Sequence, residues 1–133
     1  MYKVLIIKTA ATGDVVRTTT LLHCFKDAQV WWITSKINID ILPKKLPCLQ
    51  HILPIEDIHT SNALKDIVFD LVLSLDDDKS SIDIIETLKY NQLIGAYRDK
   101  HSKKITYTDD SAHWFDLSLI SHFSKPQADK MKF

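Results

Sequence analysis

The chain has 133 residues, of which 45% are hydrophobic and 26% charged, which is typical of one compact domain and excludes a wholly disordered, collagen-like or coiled-coil chain. Acidic and basic residues number 17 each, so the formal net charge is zero and bulk attraction to nucleic acid or a membrane is not expected. Two cysteines, Cys24 and Cys48, are too few for a disulfide framework and fit a reducing, cytoplasmic setting. No apolar run approaches the ~20 residues of a membrane-spanning helix.

Short apolar segments alternate along the chain with segments of helical spacing. We predict strands at residues 2–8, 30–34, 51–55, 69–75, 93–97 and 105–107. We predict helices at residues 14–26, 37–42, 62–67, 80–90 and 112–122, with another after Pro126. The strands are mainly apolar rather than alternating, which indicates an α/β fold, Rossmann-like, with a parallel sheet covered on both faces.

Three single-residue expectations accompany this pattern. Pro54 indicates that its strand lies at an edge of the sheet. Trp31 and Trp32 are adjacent in a strand, so one is expected in the core on each face. Each of the two glycines, Gly13 and Gly95, is expected where the backbone needs one.

Ligand sites of parallel α/β sheets lie beyond the carboxyl ends of the strands, which directs attention to residues 8–14, 34–37 and 76–80. The first of these loops reads K-T-A-A-T-G-D and exposes backbone N–H groups at a helix start, a setting that favours an anion. Its last residue, Asp14, either caps the helix or points into a cleft as a general base, and spacing leaves both roles open. The loop matches neither the dinucleotide fingerprint nor the P-loop.

A second polar segment, D-D-D-K-S-S at residues 76–81, follows a predicted strand. Its carboxylates are suited to a divalent cation or a sugar hydroxyl, or they favour the N-terminus of the next helix. Asp76, Asp78 and Ser80 also match the D-x-D-x-[T/S] pattern of haloacid-dehalogenase-type phosphatases, although that motif normally follows the first strand. A receiver domain is disfavoured because the first strand ends in Lys8 rather than in acidic residues.

Other residue types give weaker signals. The histidines and cysteines lack the spacing of a zinc site, and the nucleophile elbow G-x-S-x-G is absent. One basic run is either a solvated loop or a segment that helps to hold a phosphorylated ligand, and its members are Arg98, Lys100, Lys103 and Lys104.

Three sequence blocks carry a family resemblance. They read V-L-I-I-K-T-A-A-T-G-D-V-V-R-T-T-T-L-L at residues 4–22, F-D-L-V-L-S-L-D at 69–76 and H-W-F-D-L-S-L-I at 113–120. In this order they resemble glycosyltransferase family 9, the ADP-heptose:lipopolysaccharide heptosyltransferases. The sequence departs from the family at Thr20, where members often carry proline, and at 76–78, where the better-known enzymes carry Gln-Gly.

The resemblance implies a GT-B architecture, in which two Rossmann-like domains face a cleft. Residues 1–133 would form the single N-terminal, acceptor-side domain, and the C-terminal donor domain would be absent, so the chain would be a fragment or a shortened protein. The implied acceptor is the lipopolysaccharide inner core, and the implied co-substrate is ADP-heptose, held mainly by the missing half. The resemblance further implies a bacterial, cytoplasmic enzyme that is peripheral to the inner membrane and needs no cofactor and no metal.

The resemblance also implies roles for individual residues. Asp14 would be the catalytic base of an inverting transfer. Residues implied to bind the acceptor are Lys8, Thr9, Thr12, Gly13, Arg17 and Asp76. Alone, the chain is expected to have little transferase activity. The alternative is a non-catalytic module of the same fold that binds a glycan or a protein partner.

Overall fold

The computed structural model describes residues 1–9, 12–43, 47–57 and 60–109, and within them six strands form one sheet. The spatial order is β3-β2-β1-β4-β5-β6, the Rossmann order, with β1 to β5 parallel and β6 antiparallel to β5. This confirms the predicted α/β fold. The strands are β1 Lys3–Ile7, β2 Gln29–Thr34, β3 Leu49–Pro54, β4 Val68–Ser74, β5 Lys89–Arg98 and β6 Ile105–Tyr107.

Helices cover both faces of the sheet, as the apolar strands require. The α-helices are α1 Thr12–Thr18, α2 Thr60–Leu64 and α3 Lys79–Ile85, and two 3₁₀ helices span Thr19–Phe25 and Lys36–Ile41. One buried cluster contains Trp32 with Val15 of α1, and the other contains Trp31 with Ile82 of α3. The two tryptophans therefore lie on opposite faces, as predicted, and β3 is an edge strand that ends at Pro54.

Strand β1 lies at the centre of the sheet and fixes the position of the loops beyond it. Its last residue, Ile7, pairs with Ile33 of β2 on one side and with Ser74 of β4 on the other. The chain then reverses direction across the sheet, because β2 and β3 lie on one side of β1 and β4 and β5 on the other. The carboxyl ends of β1 and β4 therefore form a topological switch point, where open α/β sheets bind ligands.

The predicted helix at 14–26 is replaced by a short α-helix followed by a 3₁₀ helix. The change falls at three consecutive threonines whose hydroxyls donate to carbonyl oxygens of the preceding turn: Thr18 to Asp14, Thr19 to Val16 and Thr20 to Arg17. Such bonds compete with the helical backbone ladder, and β-branched side chains crowd it. The predicted helix at 37–42 is likewise a 3₁₀ helix.

The predicted helix at 80–90 ends five residues early, and the next strand is twice as long as predicted. Lys89 and Tyr90 pair with Val68 and Phe69 of β4 instead of continuing the helix. The first four residues of β5 are exposed, so this half of the strand carries no apolar signature. Tertiary pairing with β4 overrides the local helical pattern there.

The two glycines differ in what they do for the backbone. Gly95 has φ +129°, and a Cβ atom there would lie 1.9 Å from the carbonyl oxygen of Ser74 in the neighbouring strand. Only glycine fits this position. At Gly13 a Cβ atom would meet no atom within 4 Å, so the expectation that its backbone requires glycine is wrong.

Some predicted features lie outside the described residues, among them the helix at 112–122, the helix after Pro126, and Ala10 and Ala11 of the first loop. Within residues 1–9, 12–43, 47–57 and 60–109, none of the helices has the length and apolar character needed to cross a membrane.

Candidate functional site

A buried ion pair joins the two loops at the switch point. The Lys8 ammonium donates to Oδ1 of Asp76 at 2.5 Å, and the two residues are 4% and 8% exposed. Lys8 follows β1 directly, and Asp76 lies two residues after β4. Adjacent parallel strands bring the pair together, because their carboxyl ends meet at the same edge of the sheet.

The second carboxylate oxygen of Asp76 holds the backbone of the first loop. Its Oδ2 accepts from the Thr9 backbone N–H at 2.5 Å and from the Thr9 hydroxyl at 2.7 Å. Both oxygens of Asp76 are thus engaged by the β1–α1 loop, and charged groups taken out of water need this degree of pairing. Lys8, Thr9 and Asp76 form one hydrogen-bonded unit, which we call the strand-end cluster.

Asn38 fastens the same loop from the other side. It is 1% exposed, and its amide nitrogen donates to the carbonyl of Thr9 at 2.8 Å and to the Ser35 hydroxyl at 3.0 Å. Its amide oxygen accepts from the Thr12 hydroxyl at 2.8 Å, and Ser35 also donates to the Thr9 carbonyl. Asn38 is not among the predicted site residues because it lies inside a predicted helix; the sequence signal that could have indicated it is the polar pair Ser35 and Asn38 just after β2.

Asp14 is the third residue of α1, so it lies in the first helical turn and is not the N-cap. Its side chain is 20% exposed and accepts a hydrogen bond from the Arg17 guanidinium one turn along, whose side chain is 59% exposed. A carboxylate in this turn is favoured by the helix dipole. An ion pair with so exposed an arginine is weak in water and easily exchanged for another partner.

The acidic run at 76–78 is divided among three separate structural roles. Asp77 accepts from the Tyr107 hydroxyl at 2.8 Å. Asp78 is the N-cap of α3, accepting from the Ser81 backbone N–H at 3.2 Å and from its hydroxyl at 2.8 Å. With Asp76 bound to Lys8, the run does not converge on one point as the phosphatase motif requires, and no metal-holding cluster of His, Cys, Asp or Glu occurs in the part of the chain that the structure describes.

Two hydroxyls at the ends of strands beside β1 lack a hydrogen-bond partner. Among the described residues, Thr34 at the end of β2 and Ser74 at the end of β4 have buried hydroxyl oxygens with none. Buried polar atoms are normally satisfied, and exceptions concentrate at functional sites or beside ordered water. Both lie at the carboxyl edge, where the fold places ligands.

The predicted site residues thus fall into two groups. Lys8, Thr9 and Asp76 contact one another in the strand-end cluster. Asp14 and Arg17 pair on α1, while Gly13 lies on the exposed start of that helix. The Thr12 hydroxyl, through Asn38, connects the helix start to the Thr9 carbonyl.

The fold is similar to that of a heptosyltransferase. The solved structure described as "E. coli heptosyltransferase WaaC with ADP" superposes with a TM-score of 0.58 at 18% sequence identity. The match covers 77% of this chain and 36% of that chain, so this chain spans about a third of its structural neighbour. No protein-family model matches the sequence, and comparison with curated proteins finds no match.

Proposed function

We propose that this chain is the acceptor-binding domain of an inverting, heptosyltransferase-like glycosyltransferase. The donor sugar would come from ADP-heptose and the acceptor would be the inner core of lipopolysaccharide. The observation that carries the proposal is the fold similarity to a heptosyltransferase solved with ADP, joined to an acidic residue, Asp14, in the first turn of the helix after β1. The 36% coverage supports a further domain for the donor, supplied outside residues 1–133.

In the proposed reaction Asp14 is the general base. Its carboxylate takes the proton of an acceptor hydroxyl as that oxygen attacks the anomeric carbon of the donor. The new C–O bond forms on the face opposite the bond to phosphate, which breaks, and ADP leaves with the electron pair. Asp14 is suited to this role because its side chain is partly exposed and its partner in this structure, Arg17, is largely exposed.

Arg17 is the proposed contact for a negative group of the acceptor, since its guanidinium geometry suits phosphate and carboxylate. Thr12 and Gly13 would border the acceptor, and the absence of a side chain at Gly13 leaves the helix start open. The strand-end cluster is the proposed support. Its members, Lys8, Thr9 and Asp76, bind one another, and we propose that they position the loop that leads to Asp14.

The remaining parts of the proposal concern setting and chemistry. We place the enzyme in the bacterial cytoplasm, peripheral to the inner membrane, where its acceptor would be presented. Proton abstraction by Asp14 and departure of ADP account for the reaction without a cofactor or a metal. That neither is needed stays a prediction.

An amide-NMR titration of this chain tests the proposed division of labour. One arm uses a phosphorylated inner-core oligosaccharide and the other uses ADP-heptose. We expect the oligosaccharide to shift resonances of residues 12–17, with ADP-heptose giving much weaker changes. Clear ADP-heptose binding without any response to the oligosaccharide would overturn the assignment and make this a nucleotide-binding domain.

The role of Asp14 is tested by Asp14→Asn in the enzyme that contains this domain, with Asp27→Asn as the matched control. We expect Asp14→Asn to reduce turnover by about 10²–10⁴-fold, the usual contribution of a general base, while acceptor binding persists. Asp27 is exposed and follows the 3₁₀ helix, so its variant should retain activity. Full activity of Asp14→Asn contradicts the base assignment.

A second candidate is a non-catalytic glycan-binding module of the same fold. It is supported by one observation: the buried hydroxyls of Thr34 and Ser74, at the carboxyl edge of the sheet, have no hydrogen-bond partner among the described residues, and a bound glycan could satisfy them without any transfer step. Oligosaccharide binding that Asp14→Asn leaves unchanged, with no transfer in any preparation containing this domain, would select this candidate over the enzyme.

A further inference from the structure

One cavity among the described residues is lined by none of the candidate site's residues. It has a volume of about 780 Å³ and is bordered by Val68 and Lys89 at the amino ends of β4 and β5. Its other wall is the hairpin turn between β5 and β6, which includes Lys100 and Lys103. Neither Asp14 nor any residue of the strand-end cluster lines this cavity.

An ion-pair network holds the hairpin against α3 and so builds this cavity. The Arg98 guanidinium donates to Asp83 at 3.2 Å and also pairs with Glu86, just past the end of the helix. The Asp99 carboxylate accepts from the backbone N–H groups of His101 and Ser102, which lower its pKa and close the turn. The acidic residues of the lining, Glu86 and Asp99, are therefore engaged.

The remaining charges of the lining are positive. Lys89, Lys100 and Lys103 enter the cavity wall with His101, and the structure gives none of these lysine ammonium groups an ion-pair partner among the described residues. Because the chain as a whole is neutral, this local excess of positive charge does not follow from composition. A concave wall with unpaired cations attracts anions.

The floor of the cavity is apolar. Leu88 and Ile85 lie beneath it, and Tyr90 and Tyr97 of β5 contribute aromatic surface. Small-molecule sites are commonly clefts of about 300–1,000 Å³ with apolar linings and a few polar groups that fix orientation. Both the size and the lining of this cavity fit that description.

We propose that this cavity is a second binding site, for a small organic phosphate that carries an apolar or aromatic body. The phosphate would be held by Lys89, Lys100 and Lys103, and the body would rest on Tyr90 and Leu88. This site is independent of the proposed transferase function, because it shares no residue with the candidate site.

The test is a titration of the chain, followed by amide NMR, with phenyl phosphate, inorganic phosphate and phenol in separate arms. We expect phenyl phosphate to bind more tightly than either part alone, with shifts at Lys89, Tyr90 and Lys100. Because the contacts are ionic and exposed, the affinity should fall as salt is raised. Two results would overturn the proposal: shifts confined to residues 12–17, or no binding at phenyl phosphate concentrations up to about 10 mM. The second result would leave less than about 3 kcal/mol of binding free energy.

Charge reversal supplies the matched variants. We expect Lys89→Glu with Lys100→Glu to weaken phenyl phosphate binding by about tenfold or more, since two charge-assisted contacts become repulsive. Lys65→Glu, an exposed reversal on the turn after α2, should change affinity less than about twofold. All three positions are exposed, so an unchanged spectrum will show that the fold is retained. Equal effects of the double variant and the control overturn the proposal.

Discussion

Lys8 and Asp76 form a buried ion pair at 2.5 Å although 68 positions separate them in the sequence. Each follows a strand of the sheet, and the strands concerned, β1 and β4, are parallel neighbours at the topological switch point. The same carboxylate holds the backbone of Thr9. The pair therefore connects the loop leading to Asp14 with the loop leading to α3.

Asp76→Asn should destabilise the fold strongly. Breaking a buried ion pair by removing one partner typically costs about 3–5 kcal/mol, because the other charge stays buried without compensation. Here that charge is the Lys8 ammonium. The free energy of unfolding, measured by urea denaturation, provides the check.

Asp77→Asn is the matched control for this change, since Asp77 is the exposed neighbour and its carboxylate accepts a hydrogen bond from the Tyr107 hydroxyl. We expect its free energy of unfolding to stay within about 1 kcal/mol of the parent value. If the two variants unfold at the same urea concentration, the buried pair does not have the role assigned here.

Asn38→Leu should loosen the β1–α1 loop. The substitution keeps the side-chain volume but leaves the Thr9 carbonyl and the Thr12 hydroxyl without the amide that joins them. Such losses cost about 1–3 kcal/mol. Faster hydrogen exchange at the backbone amide of Thr9 is the accompanying local signature, while Ile37→Ala, at an 82% exposed neighbour, should leave it unchanged.

The two glycines give a paired prediction with opposite signs. Gly95→Ala should cost about 2–6 kcal/mol, the combined range for backbone strain and overpacking, because its Cβ would overlap the Ser74 carbonyl. Gly13→Ala should stabilise by about 0.5–1 kcal/mol, since its site is open and helical. Thermal unfolding of both variants distinguishes them; comparable losses at the two sites would contradict the assigned backbone requirement.

Tyr107 should remain protonated at unusually high pH. Burial first, and then the hydrogen bond and negative charge of Asp77, raise the pKa of Tyr107 to about 12 from 10.0. A raised folded-state pKa means that this contribution to stability is complete below about pH 10 and is lost as pH rises through about 12.

The tyrosine ring carbon resonances, followed by NMR from about pH 9 to about pH 13, report this titration directly. We expect Asp77→Asn to lower the Tyr107 pKa part of the way, since burial persists when the charge is removed. A Tyr107 signal that titrates near pH 10 in the parent protein would contradict the hydrogen bond to Asp77.

The fold class and the place of the candidate site were both predictable from the sequence. Mainly apolar, non-alternating segments such as residues 30–34 and 69–75 are typical of strands buried on both faces of a covered parallel sheet, and such a sheet forms here. The same rule directed attention to the loops after β1 and β4, where the strand-end cluster lies. These features are predictable because apolar burial depends on composition and period, which are local.

Tertiary structure alone decided which polar groups meet. The exposed first half of β5 has no apolar pattern, so only pairing with β4 reveals it as a strand. Asn38 joins several groups of the β1–α1 loop, and the three neighbouring carboxylates bind three different partners. These contacts could not be predicted because each partner comes from a distant part of the chain or from a helix end. Hydrogen bonds act over about 3 Å and depend on direction, so strand order and register had to be fixed before these contacts existed.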